Sequence, residues 1–482
     1  MSTDSDDIID SPKKIDSDSI DKFGSQGTLL FLDLLVFAFG GWIYWLAIVS
    51  KISPSEVGQV TAIYSLVALI SILAQLGLEY PLLKRSFTQR RQILVTVLAI
   101  ELVITFAVVP IVPYVISNVF QKSSQGLFRF TWIAVGYLIA SSVGFVSRFA
   151  LLGISEVKSV LIIDVIGTGT KFVVGYALIS MGFGAFGLLL SFLLQTLVIT
   201  GATLAVARRR AFGFRLGNLN YTKEIIRDGL VNTPSKFSRT LIVSLSIVLL
   251  ASFGISSSEI GVFYVALMVS IVATGGLALN MAYMVLPASA ISGTDLSSSS
   301  TRIGLTLTTP IIAALITSPK FVLSIIGTQY VSGEAILLVL AVSILPSSIT
   351  MNAISKFNIL NKPKKIISIG SIEILTFLLA FFFLVPHYGT LGAAFSTLIA
   401  FASSSVLSLI WLERTSIRYI ITSGIAIFAG VACGYMFGLI VGGVHPLGAI
   451  LISIAAALTV VLALKNTSLN ELGQLLKGLI NR

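Results

Sequence analysis

The chain predicts an all-α polytopic membrane protein of about fourteen transmembrane helices, arranged as two six-helix parallel-repeat lobes plus two C-terminal helices. Three observations carry this. Mean hydropathy is +0.98, with 55% hydrophobic and only 11% charged residues, more apolar surface than a soluble fold of 482 residues can hide from water. Apolar runs of spanning length follow one another from residue 27 to residue 464. Two local patterns also return at nearly one spacing. Ile52-Ser-Pro-Ser-Glu56-Val-Gly58 recurs as Ile255-Ser-Ser-Ser-Glu259-Ile-Gly261, an offset of 203, and Phe183-Gly184-Ala-Phe-Gly187 with Ser191 recurs as Tyr388-Gly389-Thr-Leu-Gly392 with Ser396, an offset of 205. A duplicated unit in a membrane protein suggests a transporter whose halves rock about their interface.

Residues 1–26 hold seven aspartates and almost nothing to bury, which reads as a disordered acidic cytosolic tail without a signal peptide. The spans then fall at 27–50, 57–79, 92–119, 128–152, 157–180, 183–207, 230–253, 260–287, 303–326, 335–356, 366–386, 389–412, 417–440 and 447–464. The ninth is the weakest, because Pro310 and Ser318-Pro319-Lys320 would divide it into a span and a half-helix. The domains follow as an N-terminal lobe (27–207), a basic cytosolic linker (208–229), a C-terminal lobe (230–412), two extra spans (413–464) and an amphipathic cytosolic tail (465–482). Within that tail, Ser468-x-x-Glu471 offers a capping box.

Basic residues set the orientation. With the N-terminus inside, cytosolic loops and tails collect 24 Lys and Arg, among them Arg85, Arg208, Arg209, Arg210 and Lys365. Outer loops hold only Lys51, Lys122, Arg129 and Lys320. This imbalance places both termini in the cytoplasm and the chain in the cell membrane. The net charge of +11 thus belongs to short loops and anionic headgroups, not to nucleic acid. The sequons at Asn220 and Asn466 fall on the cytosolic side and read as chance. Cys433 is the single cysteine, so a disulfide framework within one chain is excluded.

No paired-carboxylate motif, phosphate-cradling Gly-Lys-Ser loop or cluster of metal ligands appears, so no catalytic residue, metal or cofactor is implied. His387 and His445 sit in outer loops beside prolines. What stands out is charge inside the spans, where it is costly unless it meets a wet cavity or a partner. The cations are Arg148, Lys171, Lys236 and Arg239; the anions are Asp33, Glu101, Asp164 and Glu373.

Lys171 lies nearest the bilayer centre and would line a substrate cavity or form a buried ion pair. Asp164 precedes it by two turns on the same face, with Gly167 and Gly169 between. Lys236 and Arg239 share a face, and Arg148 would either bind or snorkel. Asp33 plus 203 gives 236, so Asp33 and Lys236 are repeat equivalents that would pair across the pseudo-axis, as a gate or at the substrate. Glu101 and Glu373 would carry protons, bind a coupling cation, or hydrogen-bond neighbouring helices.

With Gln75-Leu-Gly77-Leu, Pro81 and Arg85, the Ser258-Glu-Ile-Gly261-Val-Phe-Tyr264 run, Pro287, Phe321-Val-Leu-Ser-Ile-Ile-Gly327-x-x-Tyr330 and Pro386-x-x-Gly389-x-x-Gly392-Ala-Ala394, the chain resembles a known family. It is similar over about residues 25–465 to the polysaccharide-transport flippases of the multidrug/oligosaccharidyl-lipid/polysaccharide exporter superfamily. The resemblance implies two lobes around a central cavity and alternating access. It implies a lipid-linked glycan, of polyprenyl or dolichyl phosphate or diphosphate type, carried to the outer leaflet, with membrane lipids and glycan-assembly enzymes as partners. In that reading Lys171, Arg239, Lys236 and Arg148 meet the substrate phosphate, while Asp33, Asp164, Glu101 and Glu373 gate or couple ions. The competing readings are a cation-coupled multidrug antiporter of the same superfamily and a membrane-embedded glycan polymerase or glycosyltransferase. A polymerase or transferase would need a large outer loop or an acid cluster, and the outer loops are short.

Overall fold

Every regular element in the computed structural model is helical, and no strand occurs among the described residues, which are 33, 36, 40–41, 43–86, 90–120, 127–210, 215–274, 297–360, 362–411, 414–440 and 446–464. The acidic tail, the amphipathic tail with Ser468 and Glu471, His445, half of the first span and the end of the eighth lie outside them. The side chains of 231–241, including Lys236 and Arg239, are also outside the description. The surface is that of a protein dissolved in lipid: Trp132, Phe383, Phe428 and Leu439 are all more than 70% exposed.

In the N-terminal lobe, α1 (43–49) leads to α2 (Pro54–Gln75). Ser53 and Glu56 cap each other's backbone at the start of α2, and Pro54 takes the first-turn position where no amide hydrogen is needed. Left-handed Leu76 and Gly77 end α2 and turn the chain into α3 (Glu79–Arg85). Next come α4 (Arg90–Val108), α5 (Ile111–Tyr114) with a π turn over Val115–Val119, α6 (Thr131–Gly153), α7 (Val157–Ser180) and α8 (Gly184–Arg209). Within the lobe α7 packs on α8, and α6 on α8, α4 and α2. Small and hydroxyl side chains make those seams, as in Ser147 to Thr203 at 2.7 Å and Thr105 to Ser142 at 2.9 Å.

Among the described residues of the expected linker, irregular chain runs from Arg215 only to Asn218. That side chain accepts from the Tyr221 amide at 2.9 Å and starts α9 (Leu219–Ser252), so the second half of 208–229 forms the first turns of a 34-residue helix. Then follow α10 (Ser257–Thr274), α11 (Ser297–Thr317), α12 (Pro319–Ile326) and α13 (Glu334–Ile359). The chain bends by 90° between α11 and α12, at Ser318, while Pro310 leaves α11 unbroken.

The next helical segment, α14 (Pro363–Trp411), is 49 residues long, about 70 Å if straight and far more than a bilayer needs. It is two spans folded at Gly389, where φ is 53° and ψ is −130°. Thr376 and Ser403, 27 residues apart, share a hydrogen bond of 2.8 Å across the fold. The last two helices, α15 (Arg414–Ile440) and α16 (Pro446–Ala463), pack on each other and on α11.

Among the described residues nine helices are long and apolar enough to cross a membrane, or ten if the α11–α12 bend is one span. The full fourteen are therefore not all shown. The first and eighth spans are described only in part, α9 has an apolar stretch of only Ile242–Ser252, and two expected spans merge in α14. The protein is a multi-pass membrane protein.

Both sequence repeats have a structural cause. Ser256 accepts from the Glu259 amide at 3.3 Å, capping α10 as Ser53 caps α2 203 residues earlier. Gly184 and Gly389, 205 residues apart, both carry positive φ (47° and 53°), a conformation that costs a side chain strain. Each turns one helix back along its predecessor.

Candidate functional site

The two copies of the first motif meet each other. A side chain on Gly58 would strike the carbonyl of Ser257, and one on Gly261 would strike the carbonyl of Pro54. Since 257 is 54 + 203 and 261 is 58 + 203, this contact maps onto itself when the halves are exchanged. That is the mark of residues sitting on a pseudo-two-fold axis. At this end α2 and α10 are held backbone to backbone. Gln329 and Tyr330, just beyond α12, extend the closure. They donate to the carbonyls of Val49 and Ile52 at 3.3–3.4 Å, and Tyr330 is fully buried. Deeper along this seam Trp45 meets Tyr264 edge-on at 5.2 Å.

At the opposite end of α2 the closure is ionic. Arg85, at the end of α3, donates to Asp228 at 2.5 Å and to Glu224 at 3.1 Å, both on the first turns of α9. Gly229 lies against the carbonyl of Leu76, so that α9 touches the α2–α3 turn through backbone. Partial burial alone would lower the Arg85 pKa; the two carboxylates outweigh it and hold the guanidinium above its ordinary value.

Between the ends, the N-terminal lobe carries the charges singled out in the sequence. Arg148 on α6 donates to Asp33 at 2.5 Å and to Asp164 on α7 at 2.9 Å. Asp164 is fully buried and Asp33 nearly so, and the second carboxylate oxygen of each is buried without a hydrogen-bond partner. Arg148 therefore does not simply snorkel: two carboxylates hold it. Asp33 finds a partner within its own lobe, 115 residues away. Whether it also approaches Lys236 falls outside the described side chains.

Lys171 is differently placed. It is buried on α7, with its ammonium 4.7 Å from the ring centre of Tyr44 and 5.3 Å from that of Phe192. No carboxylate lies within ion-pair distance of it among the described residues. Among the described residues, then, aromatic faces and not a carboxylate stand beside the ammonium. Tyr44 is fixed by a 2.6 Å hydrogen bond to Ser191 on α8 and by the absence of a side chain at Gly175. Glu101 on α4 and Glu373 in the first arm of α14 are both buried.

The sequence from 51 to 340, more than half of the chain, matches the family model described as polysaccharide biosynthesis protein. The chain belongs to this family. No curated protein matches it. Among solved structures it is similar to the lipid II flippase MurJ in an inward closed conformation, at 15% identity and a TM-score of 0.69, covering 92% of this chain and 98% of that one. An inward-facing multidrug resistance MATE transporter of the MOP superfamily matches at 16% identity and a TM-score of 0.59, over 83% of this chain and 95% of that one. A MOP superfamily transporter from Pyrococcus furiosus, described by a binding pocket of reverse polarity, matches at 15% and 0.54, over 84% and 96%. At such identities the likeness establishes the shared fold.

Three functional features escaped the sequence reading. The α2–α10 crossing was visible as a repeat but not as a contact. The acids Glu224 and Asp228, four residues apart in an otherwise basic stretch, were a signal for a partnered helix face. The aromatic box around Lys171 left no local trace, because its members come from α1, α7 and α8.

Proposed function

We propose that this protein is a flippase that moves a lipid-linked oligosaccharide or polysaccharide precursor from the cytosolic to the outer leaflet of the cell membrane by alternating access. It acts as a carrier and not as an enzyme. The observation that carries the proposal is Lys171, a buried cation with no anionic partner among the described residues, set between two closures of different chemistry. A lone buried ammonium is costly unless an anion visits it, and a phosphate or diphosphate bridging lipid to sugar is such an anion. Family membership supports the glycan, and the fold shared with a lipid II flippase supports the lipid carrier. Arg239 and Lys236 on α9 would complete the cationic pocket from the other lobe.

The Arg148 cluster holds two carboxylates against one guanidinium, so ionised it carries an excess negative charge. A proton or a coupling cation bound there would balance it, leaving Asp33 and Asp164 as the coupling candidates and Glu101 and Glu373 as secondary ones. The same carboxylates favour a second reading, a cation-coupled antiporter for cationic drugs, which the partnerless Lys171 disfavours.

Reconstituted flipping of a lipid-linked glycan tests the proposal. Lys171→Ala and Arg239→Ala should each reduce flipping at normal protein abundance, and Lys171→Arg should retain part of it. Normal flipping by both alanine variants would move the substrate site elsewhere. Orientation is checked separately: impermeant thiol labelling from outside should reach cysteines near Lys122 and His445 but not one at Arg209.

A further inference from the structure

The first turns of α9 have three faces. Ile225 and Gly229 point into the protein, and Glu224 and Asp228 reach Arg85. The third face, Lys223, Ile226, Arg227 and Leu230, has the spacing i, i+3, i+4, i+7 and so forms one stripe. This stripe borders a shallow, widely open cavity of about 400 Å³, walled almost entirely by the carbon atoms of the four side chains with the Lys223 and Arg227 charges at its rim. Lys223 and Arg227 are exposed, and Leu230 is 49% exposed. No described acid faces the two cations, since the neighbouring carboxylates are turned toward Arg85.

We propose that this cavity is a binding site for a lipid-borne phosphate of the inner leaflet, a vestibule where an anionic lipid head docks before it reaches the Lys171 region. Charge and polarity select this occupant. Two cations four residues apart suit one phosphate group, and Ile226 and Leu230 beside them suit the first methylenes of a lipid tail. A free phosphate leaves the apolar half of the stripe wet. A zwitterionic lipid such as phosphatidylcholine carries a phosphate already balanced by its choline and so offers the two cations no net anion. The site lies on the side the basic loops place in the cytosol, where polybasic segments meet anionic headgroups. The inference extends the transport reading, and its test is an equilibrium measurement that needs no turnover.

The full chain is placed in nanodiscs of phosphatidylcholine alone, or doped with phosphatidic acid or a polyprenyl phosphate. Photo-cross-linking analogues of each lipid report contact with residues 219–230, and amide exchange of the same peptide reports protection. Both lipid phosphates should label and protect this peptide. Labelling should fall several-fold in Lys223→Gln/Arg227→Gln and persist in Lys223→Arg/Arg227→Lys, which keeps the charge should the first variant fold poorly. Equal labelling by the phosphatidylcholine analogue, or unchanged labelling in the glutamine variant, would overturn the proposal. Protection by inorganic phosphate alone would reassign the cavity to a free anion and overturn it as well. Lys171→Ala should label normally, so failure of the vestibule and failure of the flippase reading are told apart.

Discussion

Two arginines in this molecule each grip two carboxylates, and the structure uses them in opposite ways. Arg148 holds Asp33 and Asp164 inside one lobe, with the Asp side chains 3% and 0% exposed. Arg85 holds Asp228 and Glu224 across the junction between α3 and α9, with those side chains 20% and 54% exposed. A buried pair costs much to desolvate, and breaking it strands a charge; an exposed pair gains little and loses little. The first arrangement is accordingly fixed inside one lobe and, in the proposed transport cycle, would store a proton or coupling cation. The second would serve in that cycle as a latch that opens. The Gly58–Gly261 crossing at the other end of α2 is a third solution, a closure made of backbone contact with no charge in it.

The largest expected effect is at the buried cluster. Arg148→Ala leaves two carboxylates without their cation, at a cost of about 3–5 kcal/mol, and membrane abundance should collapse. Neutralising all three together, Asp33→Asn/Asp164→Asn/Arg148→Gln, should restore much of the abundance while transport stays lost. If Arg148→Ala accumulates normally, the cluster is wetter than the structure shows and its contrast with Arg85 disappears.

How much of this was legible beforehand depends on whether the cause was local. Apolar runs, the break at Ser318-Pro319 and the turn at Gly389 are written in a few adjacent residues, and the sequence placed them well. The repeat offset correctly paired Ser53 with Ser256 and Gly184 with Gly389, because those positions serve the same local purpose in both lobes. Extending the offset to Asp33 and Lys236 asked more of it. Symmetry-related residues touch only where the axis passes, as at Gly58 and Gly261; Asp33 carries Arg148 inside its own lobe, and the Lys236 side chain lies outside those described. Nor does duplication preserve charge. Adding 205 takes Asp164 to Ile369 and Lys171 to Thr376, so neither charge of α7 recurs in the first arm of α14, while the buried Glu373 of that arm maps back to the neutral Thr168. A contact between residues 115 apart, such as Asp33 with Arg148, leaves no periodic mark to read.

Next in size is the backbone closure. Gly58→Val or Gly261→Val places carbon against a carbonyl, and overpacking of this kind costs roughly 1–3 kcal/mol. That would shift a two-state gate by about 5- to 150-fold toward its outward-open form. With Cys433 replaced by Ser, a cysteine at buried Val265 should become reactive to an impermeant thiol reagent from outside, with little dependence on salt. Unchanged reactivity would mean that α2 and α10 already separate freely.

The ionic latch should respond more weakly and with the opposite sense. Arg85→Ala removes both pairs for about 1 kcal/mol, roughly a fivefold shift toward the inward-open form. Raising ionic strength should mimic it, because exposed charges are screened within about 10 Å at 0.1 M salt. A cysteine scan along α3 would report cytosolic reactivity. A latch indifferent to both salt and Arg85→Ala would show that Gly229 against Leu76 closes this end alone.

The smallest effect discriminates between the two carboxylates of the latch. Asp228 sits 2.5 Å from the guanidinium and is mostly covered, whereas Glu224 sits at 3.1 Å with more than half its side chain in solvent. Water screens the second pair more, and the longer glutamate gives up more rotamer freedom to hold its position. Asp228→Asn should therefore move the inward-open population by about half the Arg85→Ala effect or more, and Glu224→Gln by no more than a few tenths of a kcal/mol. The ordering survives errors in either magnitude, because both substitutions act on the same arginine and are read by the same cysteine. If Glu224→Gln proves the stronger, the α9 turn rotates in the membrane so that Glu224 becomes the covered partner. The stripe of Lys223, Ile226, Arg227 and Leu230 would then turn with it, since all six side chains ride on the same two turns of helix.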